Sequence, residues 1–142
     1  MALILTQELE KTIRSHAEEI YPFECCGIFG GIRQGEKNVV SEIYRVLNSR
    51  EDTAKHNRFL MTPKDVFMAE KQFRKNGLEM LGFYHSHPDH PAHPSGFDLD
   101  HASWPTYSYA IVSVEKGVSK DLNSFSLSND RTQFLPEEFF SF

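Results

Sequence analysis

Two histidines and an aspartate form the strongest chemical pattern in the chain. His85 and His87 follow an apolar run that predicts a buried strand, and one residue separates them. Because side chains on a strand alternate between its faces, both imidazoles are expected on one face and Ser86 on the other. Pro88 should end the strand, and Asp98 follows in the loop beyond. Two imidazoles, one carboxylate and an open fourth position make the ligand set of a catalytic zinc ion.

The same residues also allow other interpretations. Ser95 and Asp98 stand three residues apart ahead of a helical run, so Ser95 could be the N-cap of a short helix, which does not exclude a metal role for Asp98. A His-x-His pair alone is weak evidence, since surface strands carry histidines freely and cupin barrels use the pair with further strand-borne ligands. The full string of His-x-His-Pro, six residues, Ser, two residues and Asp is more specific than its parts.

That string resembles the signature of the JAMM (MPN+) metalloprotease family, which also has a glutamate far upstream. The resemblance implies that His85, His87 and Asp98 bind one Zn²⁺ per chain, and that Ser95 helps to stabilise the oxyanion. It also implies a zinc metallopeptidase. The alternative is a metal-free scaffold domain of the MPN type, and a zinc measurement on the purified protein would distinguish it from the enzyme. A nucleobase deaminase would need a Cys-x-x-Cys pair, which this sequence lacks.

The match continues upstream in the stretch Pro-Phe-Glu-Cys-Cys-Gly at positions 22–27, which resembles a bacterial subset of the family. The resemblance implies that Glu24 is the general base beside the zinc-bound water. Composition alone favours an exposed strand start for Glu24, because an unpaired buried carboxylate is costly. Cys25 and Cys26 are expected to be small buried residues rather than nucleophiles or ligands, and as neighbours they cannot close a disulfide loop within the chain.

Length and composition predict one soluble domain spanning residues 1–142. A chain of this size suits a single core. The formal net charge of −5 offers no basic patch for nucleic acid. No apolar stretch approaches the roughly 18 residues of a membrane span, and the first residues lack the basic leader of a signal peptide. We therefore expect a cytoplasmic protein that binds neither nucleic acid nor membranes.

The hydrophobic pattern predicts the element order α β β β α β α β β, which is an α/β domain with a mixed, curved sheet flanked by helices. This agrees with the JAMM/MPN fold and its cytidine-deaminase-like layering. The predicted helices are 6–20, 62–77 and 97–104. The predicted strands are 23–31, 37–48, 58–61, 78–88, 107–114 and 122–128. Residues 129–142 are expected to form a C-terminal tail.

The resemblance also implies a substrate. The Glu-Cys-Cys-Gly form resembles small bacterial members that act on ubiquitin-like sulfur carrier proteins with a Gly-Gly tail. These release a C-terminal cysteine or homocysteine, or trim extra residues to expose Gly-Gly. The alternative is an isopeptidase that removes a ubiquitin-like modifier from a lysine. An extended tail could bind by strand addition, with the polar segment 48–58, including Asn48 and Arg58, as one wall of the groove or as an ordinary solvated loop.

The loop histidines and the C-terminal phenylalanines each allow two interpretations. His90 and His93 could shape the mouth of the pocket or could be solvated loop residues. The four phenylalanines near the C-terminus could cover the end of the sheet, or they could dock on another chain, so a homodimer stays open.

Overall fold

One mixed sheet flanked by helices forms the part of the chain that the computed structural model describes, residues 1–47 and 61–142. The strands are β1 (Ala2–Leu5), β2 (Cys26–Gln34), β3 (Lys37–Val46), β4 (Glu79–Pro88), β5 (Ser108–Glu115), β6 (Val118–Leu127) and β7 (Phe134–Ser141). The helices are α1 (Gln7–Ile20), α2 (Pro63–Lys75) and α3 (Gly96–His101). The sheet closes on itself in the order β1-β3-β2-β4-β5-β6-β7. The expected mixed, curved sheet with flanking helices is confirmed.

Side-chain caps determine where the first two helices begin. The Thr6 hydroxyl accepts a hydrogen bond from the backbone N–H of Leu9 at 3.1 Å, so α1 begins directly after it. Thr62 and Asp65 form a reciprocal capping box at 3.2 and 2.8 Å, and Pro63 occupies the first position of α2. Both starts agree with the sequence prediction.

Strands β2 and β4 are neighbours in the sheet, and apolar side chains cover both of their faces. On one face, Phe29 and Tyr84 pack in a core cluster with residues of α1. On the other, Ile28 and Phe83 pack with Phe73 of α2. This double burial explains the small-and-apolar sequence of β2, and it fixes the antiparallel register between the two strands that carry the candidate site.

The closest approach in this pair lies at Gly27. A Cβ atom built there would stand 2.1 Å from the ring of Tyr84. Glycine is therefore required if Tyr84 is to pack across β2, and Tyr84 is fully buried in that position.

Two strands at the termini differ from the sequence prediction. Strand β1 was not predicted, because four residues are too few to show a period of two. It pairs in parallel with both β3 and β7. The prediction of 122–128 as the last strand is wrong, because the expected tail contains β7. Strand β7 pairs with β6 and β1 although it carries Pro136, which sits opposite Phe125.

Smaller differences concern α3 and the segment before α2. Helix α3 ends at His101 rather than at the predicted residue 104. A hydrogen bond from the backbone N–H of Ala102 to the carbonyl of Leu99 closes its last turn. The predicted strand 58–61 and the predicted groove wall at 48–58, with Asn48 and Arg58, lie outside the described residues, apart from Met61. Within the described ranges, every helix is too short or too polar to cross a membrane.

Candidate metal centre

Strand β4 presents His85 and His87 on one face, beside the end of the strand. Both imidazoles are buried, with 7% and 9% of each residue exposed. Ser86 lies between them with no exposed surface, and its hydroxyl accepts a hydrogen bond from the backbone of Cys25 in the core. Pro88 is the last residue of the strand, as the sequence predicted. The alternation expected of a strand therefore sets the direction of both histidines.

Helix α3 brings the carboxylate of Asp98 to the two histidines. Ser95 is the N-cap of this helix, and it exchanges two hydrogen bonds with Asp98 at 2.8 and 3.1 Å. The same carboxylate lies 3.2 Å from Nε2 of His85 and 3.2 Å from Nε2 of His87. The capping role of Asp98 is therefore compatible with its predicted role as a ligand, because the cap orients the carboxylate toward β4.

The spacing of the three groups fits one tetrahedral ion. Zinc bonds of about 2.0–2.1 Å imply ligand atoms separated by roughly 3.3–3.4 Å. The two Nε2 atoms of His85 and His87 are 3.1 Å apart, and each lies 3.2 Å from an oxygen of Asp98. These separations agree with a zinc site within a few tenths of an ångström, so the group could hold one ion.

A hydrogen bond behind His87 also favours metal binding. Its Nδ1 lies 2.8 Å from the carbonyl oxygen of Pro91. A carbonyl can only accept, so Nδ1 carries the hydrogen and the lone pair of Nε2 points into the cluster. This arrangement, in which a backbone carbonyl fixes the tautomer of a ligating histidine, is common in metal sites.

The charges in the cluster suit a metal ligand set. Burial lowers the pKa of His85, although the neighbouring Asp98 acts in the opposite direction. Burial alone would raise the pKa of Asp98, but hydrogen bonds with His85 and His87 hold it well below its usual range. A neutral imidazole and an ionised carboxylate are the forms that bind a metal, so little protonation energy opposes binding near neutral pH.

Glu24 lies at the entrance to β2, next to the histidine strand. Only 5% of it is exposed, so the exposed strand start that composition favoured is wrong. Cys26 pairs with His85 in the antiparallel register. This pair is the last of the register, and Glu24 stands two residues before Cys26 in the chain. Glu24 is not one of the three clustered residues, so its role as general base stays a prediction.

The remaining candidates behave as ordinary structural residues. Burial raises the pKa of the Cys25 thiol to about 12, with a hydrogen bond from Ser86 opposing it, and burial also raises the pKa of Cys26. Neutral, buried thiols are poor nucleophiles and ligands. His90 and His93 are exposed in the loop after β4, which agrees with the solvated-loop interpretation.

Sequence reasoning did not find the residues that support this cluster. These are Ser86 behind the histidines, the Pro91 carbonyl behind His87, and the hydrogen bond between Tyr21 and Asp89. A hydroxyl residue between two strand histidines was the one local signal for the first. The Tyr21–Asp89 contact joins residues that are distant in sequence, and the contact of His87 involves a backbone atom. A pattern of side chains in the sequence therefore predicts neither contact.

Comparison with known proteins identifies the family. A family model described as prokaryotic homologs of the JAB domain matches residues 6–128, a range that contains all five candidate site residues. The chain is 30% identical over 117 residues to the desampylase of Haloferax volcanii, and the match covers 80% of this chain and 81% of that protein. It is 29% identical over 104 residues to a probable TtuB-protein conjugate cleaving protease of Thermus thermophilus, covering 73% of this chain and 66% of that protein.

A solved structure agrees with this result. The solution structure of a protein from Desulfitobacterium hafniense superposes with a TM-score of 0.85 at 34% identity, covering 99% of this chain and 92% of that chain. The family match, which spans most of the sequence, and the two named relatives confirm the resemblance seen in the His-x-His-Pro string. The chain belongs to the prokaryotic JAB-domain family, and it is a hydrolase of the JAMM type.

Proposed function

We propose that the protein is a zinc-dependent peptidase that hydrolyses the amide bond at the C-terminal tail of a ubiquitin-like protein. The observation that carries the proposal is the triangle of ligand atoms from His85, His87 and Asp98, with separations of 3.1–3.2 Å. A buried carboxylate, Glu24, stands two residues before β2, which pairs with the histidine strand β4. This is the combination that metal-assisted amide hydrolysis needs.

Each residue has a separate task in this reaction. When bound, zinc would lower the pKa of a water in its open position to about 7 and would polarise the scissile carbonyl. His85, His87 and Asp98 would hold the ion. Glu24 would take the proton of the attacking water and return it to the leaving amine.

Ser95 can combine its cap with a role in the reaction. Its Oγ accepts the backbone N–H of Asp98, so the cap uses the hydroxyl as an acceptor. The hydroxyl hydrogen remains available as a donor, and Ser95 is exposed at the start of α3. We assign it to the oxyanion that develops on the substrate carbonyl.

The names of two relatives support the substrate class. One is a desampylase, and the other is named for cleaving TtuB–protein conjugates. The second name favours the isopeptidase reaction, in which the leaving amine belongs to a lysine. The Glu-Cys-Cys-Gly form favours a sulfur carrier tail from which cysteine or homocysteine leaves. Both reactions break an amide bond that follows Gly-Gly, and both would use the same five residues.

An assay with two substrates tests the proposal. The zinc-loaded protein is incubated with a ubiquitin-like carrier that has one residue after Gly-Gly, and separately with that carrier joined through Gly-Gly to a lysine side chain. Mass spectrometry should show release of the residue or of the lysine-bearing partner. Cleavage of neither substrate at full zinc occupancy would contradict the proposal, and a protein that binds no zinc would be a scaffold domain.

The variant Glu24→Gln provides the matched control for that assay. It keeps the shape and hydrogen-bonding capacity of the side chain but removes its ability to take a proton. We expect zinc binding like that of the wild type and a fall in turnover of about 10²–10⁴-fold, the usual contribution of a general base. Hydrolysis at the wild-type rate would show that Glu24 is not the base.

A further inference from the structure

The hydroxyl of Ser86 stands where a backbone carbonyl would stand in a regular sheet. In an antiparallel pair, two opposed residues in a hydrogen-bonded position exchange two backbone bonds. Ser86 N–H donates to the carbonyl of Cys25 at 3.0 Å. The reciprocal donor, the N–H of Cys25, donates to Oγ of Ser86 at 2.8 Å. The side chain of β4 therefore replaces the backbone as partner, at the residue next to Glu24.

Burial makes this contact structurally important. Ser86 has no exposed surface, and Cys25 is 1% exposed. Without the hydroxyl, the N–H of Cys25 would lose its partner away from water, which favours a backbone movement that brings it to another acceptor. Such a movement displaces the chain at Cys25, and Glu24 moves with it.

A second contact ties the same two segments together. The hydroxyl of Tyr21, three residues before Glu24, donates to the carboxylate of Asp89 at 2.7 Å. Asp89 lies two residues after His87, and its other carboxylate oxygen accepts the N–H of Lys116 at 2.9 Å. The segment that carries Glu24 is thus held against the end of β4 on both sides.

We propose that Ser86 is a positioning residue for the general base, and that the Tyr21–Asp89 contact assists it. Ser86 lies between His85 and His87 in the sequence, so its bond to Cys25 sets the position of Glu24 relative to both candidate ligands. This assignment rests on the proposed role of Glu24. A displacement of about 1 Å in a reacting group can lower a rate by about 100-fold, so a small backbone shift at Cys25 is sufficient for a large effect.

The test combines Ser86→Ala with Glu24→Gln in a double-mutant cycle on whichever of the two carrier substrates is cleaved. We expect Ser86→Ala to lower kcat by about tenfold or more, with KM and zinc affinity close to those of the wild type. In the Glu24→Gln background, the same change should alter the residual rate by less than about twofold, because its effect passes through Glu24.

Ser108→Ala is the matched control. Ser108 lies at the start of β5, away from the candidate site, and is also fully buried. Its hydroxyl accepts a hydrogen bond of the same length, 2.8 Å, from Nδ2 of Asn38. Both variants should lower the melting temperature to a similar extent. Only Ser86→Ala should lower kcat, which separates positioning from a general loss of stability.

Tyr21→Phe gives a second measurement if Ser86→Ala does not fold. It removes one hydroxyl from a half-buried side chain, and we expect a severalfold fall in kcat that also vanishes in the Glu24→Gln background. Wild-type kcat in Ser86→Ala, or in Tyr21→Phe when Ser86→Ala is unfolded, would overturn the positioning role. An equal fold-loss in both backgrounds, or loss of zinc, would overturn it as well. Wild-type turnover of Glu24→Gln would instead overturn the proposed function.

Discussion

At the scale of single residues, His87 makes the contacts that a metal ligand needs. Its Nε2 lies near both His85 and Asp98, and its Nδ1 is held by Pro91. We expect His87→Ala to lose zinc on dialysis, because only two protein ligands would remain. His93→Ala is the control, since His93 is exposed in the nearby loop and should keep the metal. Atomic absorption would measure the zinc content of both variants. One zinc ion per chain in His87→Ala would show that His87 is not a ligand.

His16 makes the stability of the fold depend on pH. Burial lowers its pKa to about 4, with Arg45 acting in the same direction, and its Nδ1 lies 2.7 Å from the hydroxyl of Tyr84. The unfolded chain takes up this proton near pH 6.5, whereas the folded protein does so only near pH 4. Stability from this group is therefore complete above pH 6.5 and is lost as the pH falls toward 4, by at most about 1.4 kcal/mol per pH unit.

Chemical denaturation at pH 7, 5.5 and 4.5 would measure this effect. Other groups with lowered pKa values, among them His85, add to the slope of the wild type. The informative quantity is therefore the difference from His16→Gln, which should lose less free energy of unfolding over the same range. Parallel curves for the two proteins would show that His16 does not contribute.

At the scale of elements, the start of α3 joins a helix cap to the candidate metal site. We expect Ser95→Ala to cost about 1 kcal/mol of stability and to lower both zinc affinity and turnover, because the cap orients Asp98. Ser95→Asp keeps a good cap but has no hydrogen to donate. It should therefore retain zinc and lose turnover, which distinguishes the oxyanion role from the cap.

Thr62→Ala is the matched control for the cap. It removes the same kind of capping box from α2, with a similar loss of stability. Isothermal zinc titration and steady-state kinetics on the three variants would separate the effects. Normal turnover in Ser95→Asp would show that Ser95 acts through the cap alone.

Local signals predicted some elements well and missed others for a physical reason. Thr6, Thr62 and Ser95 were recognisable as caps because a capping bond spans only three residues. Strand β1 offered no such signal, since its stability comes from parallel pairing with β3 and β7, which are distant in sequence. Strand β7 carries a proline and two glutamates, and it forms because β6 and β1 both present an edge.

Some residues of the candidate site were also predictable from local sequence signals, and others were not. The spacing of His85, His87 and Asp98 could be read directly, because a strand and a capped helix start are local structures. The burial of Glu24 could not, because it depends on how β2 packs against β4 and on the neighbouring core. The family resemblance pointed to Glu24 where composition pointed away from it.

At the scale of the whole molecule, β7 closes the sheet and covers part of the core. Phe139 packs against the main core cluster, whereas its neighbour Phe140 is 50% exposed. Full burial of a phenylalanine is worth about 3–5 kcal/mol against alanine, so Phe139→Ala should cost roughly half of that. Phe140→Ala should cost little. Urea denaturation of the pair would test this, and equal losses would show that β7 does not seal the core.

The two cysteines stand back to back at the point where β2 begins. Cys25 belongs to the core beneath α1, and Cys26 belongs to the core beneath α2. Both are free thiols with raised pKa values, so a maleimide should modify neither in the native protein. Pulsed alkylation would then report on each core separately: an adduct on one cysteine marks the opening of one face, and adducts on both mark the opening of the whole sheet.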